Sequence, residues 1–515
     1  MYAKLNSFGL HGLEGFGVTV EADVAGGLPG LSIVGLPDSA VKESGDRVRA
    51  ALRNLGCRWP DSRITINLAP ADVRKTGPVY DLPVFLAVLA ASGQLRQPAP
   101  DQAFLGELAL DGTLRPVAGV LPMAMAAMRA GIKALYLPAD NAAEAAAAAE
   151  TGLAVYPCRS ARQVVQALSG QLALSPLPRA AYIPEEAPGT VPDFADVHGQ
   201  GLARRAMEIA AAGGHNILLI GTPGTGKSML AKRLPGILPP LTRQEALEVT
   251  KIYSVAGMLP SGQGLIRQRP FRSPHHTTSA AALAGGGTSF RPGEVSLADR
   301  GVLFLDELPE FSRECLEVLR QPVEDGRVTV SRVAGSATYP CHFQLVAAMN
   351  PCKCGYYGHP VRDCTCSIST IERYRSRISG PLLDRIDMQV EMEPISYEEL
   401  QGGRGGESSA AIRGRVIAAR AVQHRRYQAL GFADVLCNAD LNSAQIRQAC
   451  PLTPRAQQVL RAAYQKMGLS ARGYDRLLRV ARTIADLAGQ DEIGDRALLE
   501  ALQYRSLEQK IRFSR

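Results

Sequence analysis

Three short stretches of the chain combine the residue types and spacing that phosphate chemistry needs. The first is Gly221-Thr222-Pro223-Gly224-Thr225-Gly226-Lys227-Ser228, which matches the P-loop pattern. Its glycines let backbone N–H groups wrap phosphates, while the N-terminus of the next helix adds its positive end. Lys227 is expected to reach the β- and γ-phosphates of ATP. Ser228 is expected to ligate Mg²⁺, and Met229 follows it on the helix. The second stretch is Asp306-Glu307, about eighty residues further on. Asp306 suits a water-mediated hold on Mg²⁺, and Glu307 suits orientation or deprotonation of the attacking water. The third is Asn350, a polar side chain that ends an apolar run and is placed to sense the γ-phosphate.

Three further groups of residues leave more than one reading open. Pro381-Leu382-Leu383-Asp384-Arg385-Ile386-Asp387 sets Arg385 between acids on a short turn. It is either a local ion pair, worth little at a surface, or an arginine finger for a neighbour's ATP site, which demands a ring. Cys352-Lys353-Cys354 and Cys364-Thr365-Cys366 form two close pairs, with Gly355, Gly358, His359 and Pro360 between them. Four thiolates suit tetrahedral Zn²⁺, though each pair has a one-residue gap where two is usual, and His359 could replace one sulfur. Loose thiols and another metal remain alternatives. A catalytic metal is excluded, because four cysteines leave no open position. The cluster is expected to stiffen the loop between Asn350 and Arg385. Arg327 to Tyr339 alternates as a hairpin, with Val333-Ala334-Gly335-Ser336 at its turn and Arg332 near the tip.

The elements that must position these residues follow from pattern. His215 to Ile220 reads as a buried strand before the P-loop, and Ser228 to Leu234 begins a helix after it. Val302 to Leu305 and Gln344 to Ala348 read as two more strands. At 515 residues, with 46% apolar and 21% charged residues, the chain is a multidomain globular protein. No apolar run is long enough to span a membrane, and the first residues do not read as a secretory signal. Ten cysteines, four of them clustered, fit metal in a reducing compartment better than disulfides, so a cytoplasmic location is expected. The net charge of +8 is compatible with nucleic acid, but arginine-rich base composition alone can produce it.

Three blocks emerge. Residues 1–175 mix strands (Leu31 to Val34, Ile64 to Asn67, Ala134 to Leu137) with helices (Val41 to Asn54, Leu82 to Ala91, Met123 to Ala130). A proline-rich linker, 176–192, joins them to an ATPase core at 193–395 with its cysteine insert at 352–366. After the glycine joint Gly402 to Gly406, the 396–515 block reads as helical.

Taken together, these motifs resemble the AAA+ branch that holds magnesium-chelatase ATPase subunits and MCM helicases. Ala210 to Asn216, Arg269 to Thr277 and Gly301 to Phe311 narrow the resemblance to the ComM/YifB family of magnesium-chelatase-like proteins, along essentially the whole chain. The resemblance implies a homo-hexameric motor that acts on single-stranded or branched DNA in homologous recombination, notably when transforming DNA is integrated. It gives Lys227 and Ser228 the Walker A roles, Asp306 and Glu307 the Walker B roles, Asn350 sensor 1 and Arg385 the finger. It makes the C-terminal helices a lid in which Arg472 is the sensor 2 candidate, with Arg476 and Arg479 on the same helix. It also aims the hairpin at the pore, where Arg332 would track DNA phosphates; His275 and His276 could line that pore or merely pack. Rival readings are a chelatase motor that remodels a Mg²⁺-inserting partner and a protein-remodelling ATPase.

Residues 1–175 resemble the Lon protease catalytic domain, a ribosomal-protein-S5-like α/β fold, through Lys75-Thr76-Gly77-Pro78 and Gly112 to Asn141. Val79 stands where that family has its serine, and Leu121 where it has its lysine. The Ser-Lys dyad is therefore missing, and a scaffold for DNA binding or ring assembly is expected.

Overall fold

Two sheets organise the protein, and each has the strand composition its burial requires. The computed structural model describes residues 1–148, 152–178, 191–260, 262–286, 290–332, 335–395 and 406–505. Most of the proline-rich stretch and of the glycine joint lies outside these residues.

The N-terminal sheet has seven strands in the order Gly30–Val34, Arg63–Ala69, Glu14–Ala25, Tyr2–His11, Gln102–Phe104, Ala134–Pro138, Ala154–Cys158. A long antiparallel hairpin, Tyr2–His11 with Glu14–Ala25, forms its middle. Gly15 lets this hairpin approach the helix Val120–Arg129, because a Cβ there would lie 2.3 Å from the Pro122 carbonyl oxygen. The helix Asp81–Ala91 is buried almost all round, as its unbroken apolar run requires. The expected single helix from Val41 to Asn54 is in fact two, Ser39–Lys42 and Ser44–Asn54. They part where Gly45 packs under Leu31.

The second sheet has five parallel strands in the order Phe271–Arg272, Val302–Leu305, Gln344–Met349, Ile217–Gly221, Met388–Met392. Such strands are buried on both faces and so read as continuous apolar runs. Alternate residues feed two cores. Leu219, Phe304 and Val346 face the helices Gly201–Gly213 and Lys227–Ile237, while Leu218, Leu303 and Leu345 face Leu316, Leu319 and the base of the hairpin. Asp306 does not adjoin the P-loop strand through its own strand, because Gln344–Met349 lies between them. Among the described residues from 406 to 505 there are helices and no strand.

The two sheets meet through the helix Arg243–Ala256. Lys251 Nζ lies 2.9 Å from Glu14, the Gly119 amide donates to the Ser254 carbonyl at 3.0 Å, and the Ser254 hydroxyl donates to buried Glu144. Leu13, at the turn of the N-terminal hairpin, packs into the core beneath the hairpin Arg327–Arg332 and Gly335–Pro340.

Candidate functional site: a phosphate cradle beside a tetracysteine cluster

The cradle forms where Ile217–Gly221 ends at the C-terminal edge of the parallel sheet, the edge at which such sheets bind ligands. Gly224 and Gly226 take φ of 83° and 87°, a region open to glycine without strain. Thr225 closes the loop by donating its hydroxyl to the Thr222 carbonyl at 2.9 Å. Lys227 is the first residue of the following helix and is nearly buried. Its ammonium donates to the Gly221 and Thr222 carbonyls at 2.7 and 2.9 Å and to Asn350 Oδ1 at 3.2 Å. Burial lowers its pKa, while Asp306 and Glu307 act in the opposite direction. Met229 is half-buried against the core behind the loop.

Ser228 donates its hydroxyl to Asp306 Oδ2 at 2.6 Å. These two hard oxygen ligands, side by side next to an ammonium, fit Mg²⁺. Asp306 Oδ1 accepts from the Glu307 amide at 3.0 Å. Glu307 itself sits at φ 52° in the left-handed region, an uncommon place for a residue with a Cβ. Its half-exposed carboxylate faces His276 Nδ1 at 3.5 Å, and His276 stacks against His275.

Several contacts here were missed by sequence reasoning. Gln200, also left-handed, donates to the Thr225 carbonyl at 3.3 Å and to Glu393 at 2.6 Å, clamping the loop from behind. The backbone N–H of Asn350 meets the Tyr374 hydroxyl. His276 belongs to the Arg269 to Thr277 stretch singled out above, but no local pattern joins it to Glu307.

Arg385 corrects one expectation. Its ion-pair partner is neither Asp384 nor Asp387 but Glu324, 61 residues earlier; Nη1 also donates to the Pro381 carbonyl at 2.7 Å. Asp387 is instead buried between His215 at 3.7 Å and Arg476 at 3.8 Å, and it accepts from the Asn216 amide. Arg472 is exposed on the first turn of Ala471–Leu487. Burial, then Arg320 and Arg472, lower the pKa of Arg385. Arg332 pairs through its backbone with Gly335 at the end of the hairpin; Val333 and Ala334 lie outside the described residues.

The four cysteines converge. Cys352, Cys354, Cys364 and Cys366 place their sulfurs within 4.8 Å of one another. Cys352 lies 3.3 Å from Cys354 and 3.6 Å from Cys364. Zn–S bonds of about 2.3 Å in a tetrahedron put sulfurs about 3.8 Å apart, so the donor set fits Zn²⁺. The Tyr356 amide, donating to Cys354, pulls that thiol's pKa down. His359 is not part of the group, since its Nδ1 accepts from the Val361 and Arg362 amides at 3.1 and 3.0 Å.

Comparison with known proteins gives the family. Family profiles for the magnesium chelatase subunit ChlI match residues 20–141 and 193–400, and the profile for its C-terminal part matches 406–505. A protein of Mycobacterium tuberculosis is 45% identical over 97% of both chains. The YifB protein of Escherichia coli is 46% identical, and the competence protein ComM of Haemophilus influenzae 44%, each over 95% of this chain and 94% of the relative. With a parallel sheet consistent with a P-loop AAA+-type core and relatives this similar along nearly its whole length, the chain belongs to the ComM/YifB family of magnesium-chelatase-like proteins.

Proposed function

We propose that the protein is an ATP-hydrolysing AAA+ motor that assembles as a hexameric ring and moves DNA strands, with helicase or branch-migration activity during recombination of incoming DNA. The observation that carries the ATPase part is the convergence of Lys227, Ser228, Asp306, Glu307 and Asn350 on one edge of a parallel sheet. In this reading Lys227 leaves its three oxygen acceptors for the β- and γ-phosphates. Ser228 and Asp306 would hold Mg²⁺, which would supply charge neutralisation for the phosphates. Glu307 orients the attacking water and Asn350 contacts the γ-phosphate. Arg385 reaches the ATP of an adjacent subunit, and Arg472 acts as sensor 2.

The DNA part draws on the relative named a competence protein and on the hairpin ending at Arg332. The helices from Ser409 onward would act as the lid. The N-terminal domain, Lon-like without its dyad, would serve as a scaffold, since Leu121 is fully buried and Val79 nearly so. No helix among the described residues is long and apolar enough to cross a membrane.

The test is ATPase activity and strand movement on a forked or four-way DNA junction. Stimulation should follow DNA structure and length, not base sequence, and affinity should fall steeply with salt as counterions are released. Arg332→Ala should weaken strand movement and spare basal hydrolysis. A parent protein that assembles and hydrolyses ATP but moves no junction would favour protein remodelling or a chelatase-type motor.

A further inference from the structure

The cysteine loop does more than bridge Asn350 and Arg385, because it folds back onto the phosphate cradle. Gly355, in the middle of the cluster, is buried at φ 88°, and a Cβ there would lie 2.9 Å from both Cδ and Cγ of Pro223. The backbone of the cysteine loop is therefore in contact with the proline ring of the P-loop. Pro223 is otherwise exposed, as is Gly224 next to it.

Nothing in the loop's own secondary structure holds it there. Between Asn350 and the helix Ile368–Arg375 no strand or helix forms. Its other ties are short-range or at its ends: the Gly355 amide to the Cys352 carbonyl at 3.0 Å, His359 to the Val361 and Arg362 amides, Arg362 to the Tyr356 hydroxyl at 2.9 Å, and Arg375 to the Pro351 carbonyl at 3.1 Å. The four thiolates bring Cys352 and Cys354 together with Cys364 and Cys366, and a bound ion would close the loop at its centre. Their spacing selects the ion. Sulfurs this close cannot each serve a different iron of a cluster, but they can share one tetrahedral soft cation.

We propose that Cys352, Cys354, Cys364 and Cys366 bind one Zn²⁺ whose occupancy holds Gly355 against Pro223, so that the metal sets the affinity of the P-loop for nucleotide. The proposal rests on the reading of Gly221 to Ser228 as the nucleotide site. With zinc, the P-loop has a fixed wall on its Pro223 side. Without it, the loop samples open conformations and nucleotide binding must first order the cradle, which weakens apparent affinity.

The experiment measures zinc per chain by elemental analysis and the Kd of a fluorescent ATP analogue on the full-length protein. The parent should carry about one zinc per chain. Removing the metal with a chelator should weaken nucleotide binding on the order of tenfold, and adding zinc back should restore it. Cys352→Ser with Cys364→Ser should lose the metal and show the same deficit. Pro223→Ala separates contact from metal, because it removes the ring that Gly355 touches, so it should keep zinc yet make nucleotide affinity independent of it. That variant decides the matter if the double variant does not fold. A parent without zinc, or a zinc-free protein with the parent's Kd, overturns the proposal. A zinc-loaded parent that binds no nucleotide overturns the P-loop reading itself, and the coupling with it.

Discussion

The P-loop and the matching region of the N-terminal sheet both bury a lysine after a turn, yet they treat it differently. Lys227 leans on two loop carbonyls and on Asn350 Oδ1, oxygens within reach of the place where phosphate would sit. Lys75 is fully buried and donates to the Pro70 and Val73 carbonyls within its own turn, which it pins shut. The acids differ in the same way. Asp306 and Glu307 meet a hydroxyl, an amide and a neighbouring imidazole, and act on the Lys227 ammonium through space. Asp81 is wholly buried, takes both arms of Arg47 at 2.6 and 3.0 Å, and accepts the Leu108 amide. Polar groups whose partners can be exchanged belong to a site; groups whose partners are locked belong to a scaffold.

The comparison can be broken by substitution. Lys227→Ala should have the largest effect, abolishing ATP hydrolysis, while Glu307→Gln should retain nucleotide and stall with it bound. Near-normal turnover by Glu307→Gln would remove that residue from the chemistry. Arg385→Ala should lower turnover about 1000-fold while each subunit still binds nucleotide. Mixing it with Lys227→Ala subunits should recover part of the rate, since intact fingers then complete intact P-loops; parent-level turnover by Arg385→Ala in assembled rings would place the finger elsewhere. The scaffold side predicts the smallest effect on catalysis. Asp81→Ala strands Arg47 and should cost about 3 kcal/mol of stability, read by denaturant unfolding, with ATPase per folded molecule unchanged. A loss of turnover in folded Asp81→Ala protein would make the N-terminal domain part of the motor.

Legibility followed the range of the interactions. The strand Val302–Leu305 was read residue for residue, because a strand buried on both faces must be apolar throughout. Gly224 and Gly226 were readable because their conformations exclude other residue types. The N-terminal hairpin was not recognised. Gly9, Gly15 and Gly17 interrupt its alternation, and Gly9 and Gly15 are there to admit Tyr80 and Pro122. The cysteine spacing announced convergence but not the contact with Pro223. Likewise, no local pattern ties Arg385 to Glu324 or Glu307 to His276, since each pair is joined only by packing between distant segments.

The Arg385–Glu324 pair has a mechanical corollary. Glu324 lies in the last turn of the helix Arg320–Asp325, and the hairpin strand Arg327–Arg332 departs two residues after that helix ends. On the proposed reading of Arg385 as a finger, a guanidinium that turns to a neighbour's γ-phosphate would give up Glu324 and free the root of the hairpin. In the proposed ring, each subunit's hairpin would then report the nucleotide of the subunit next door and not its own.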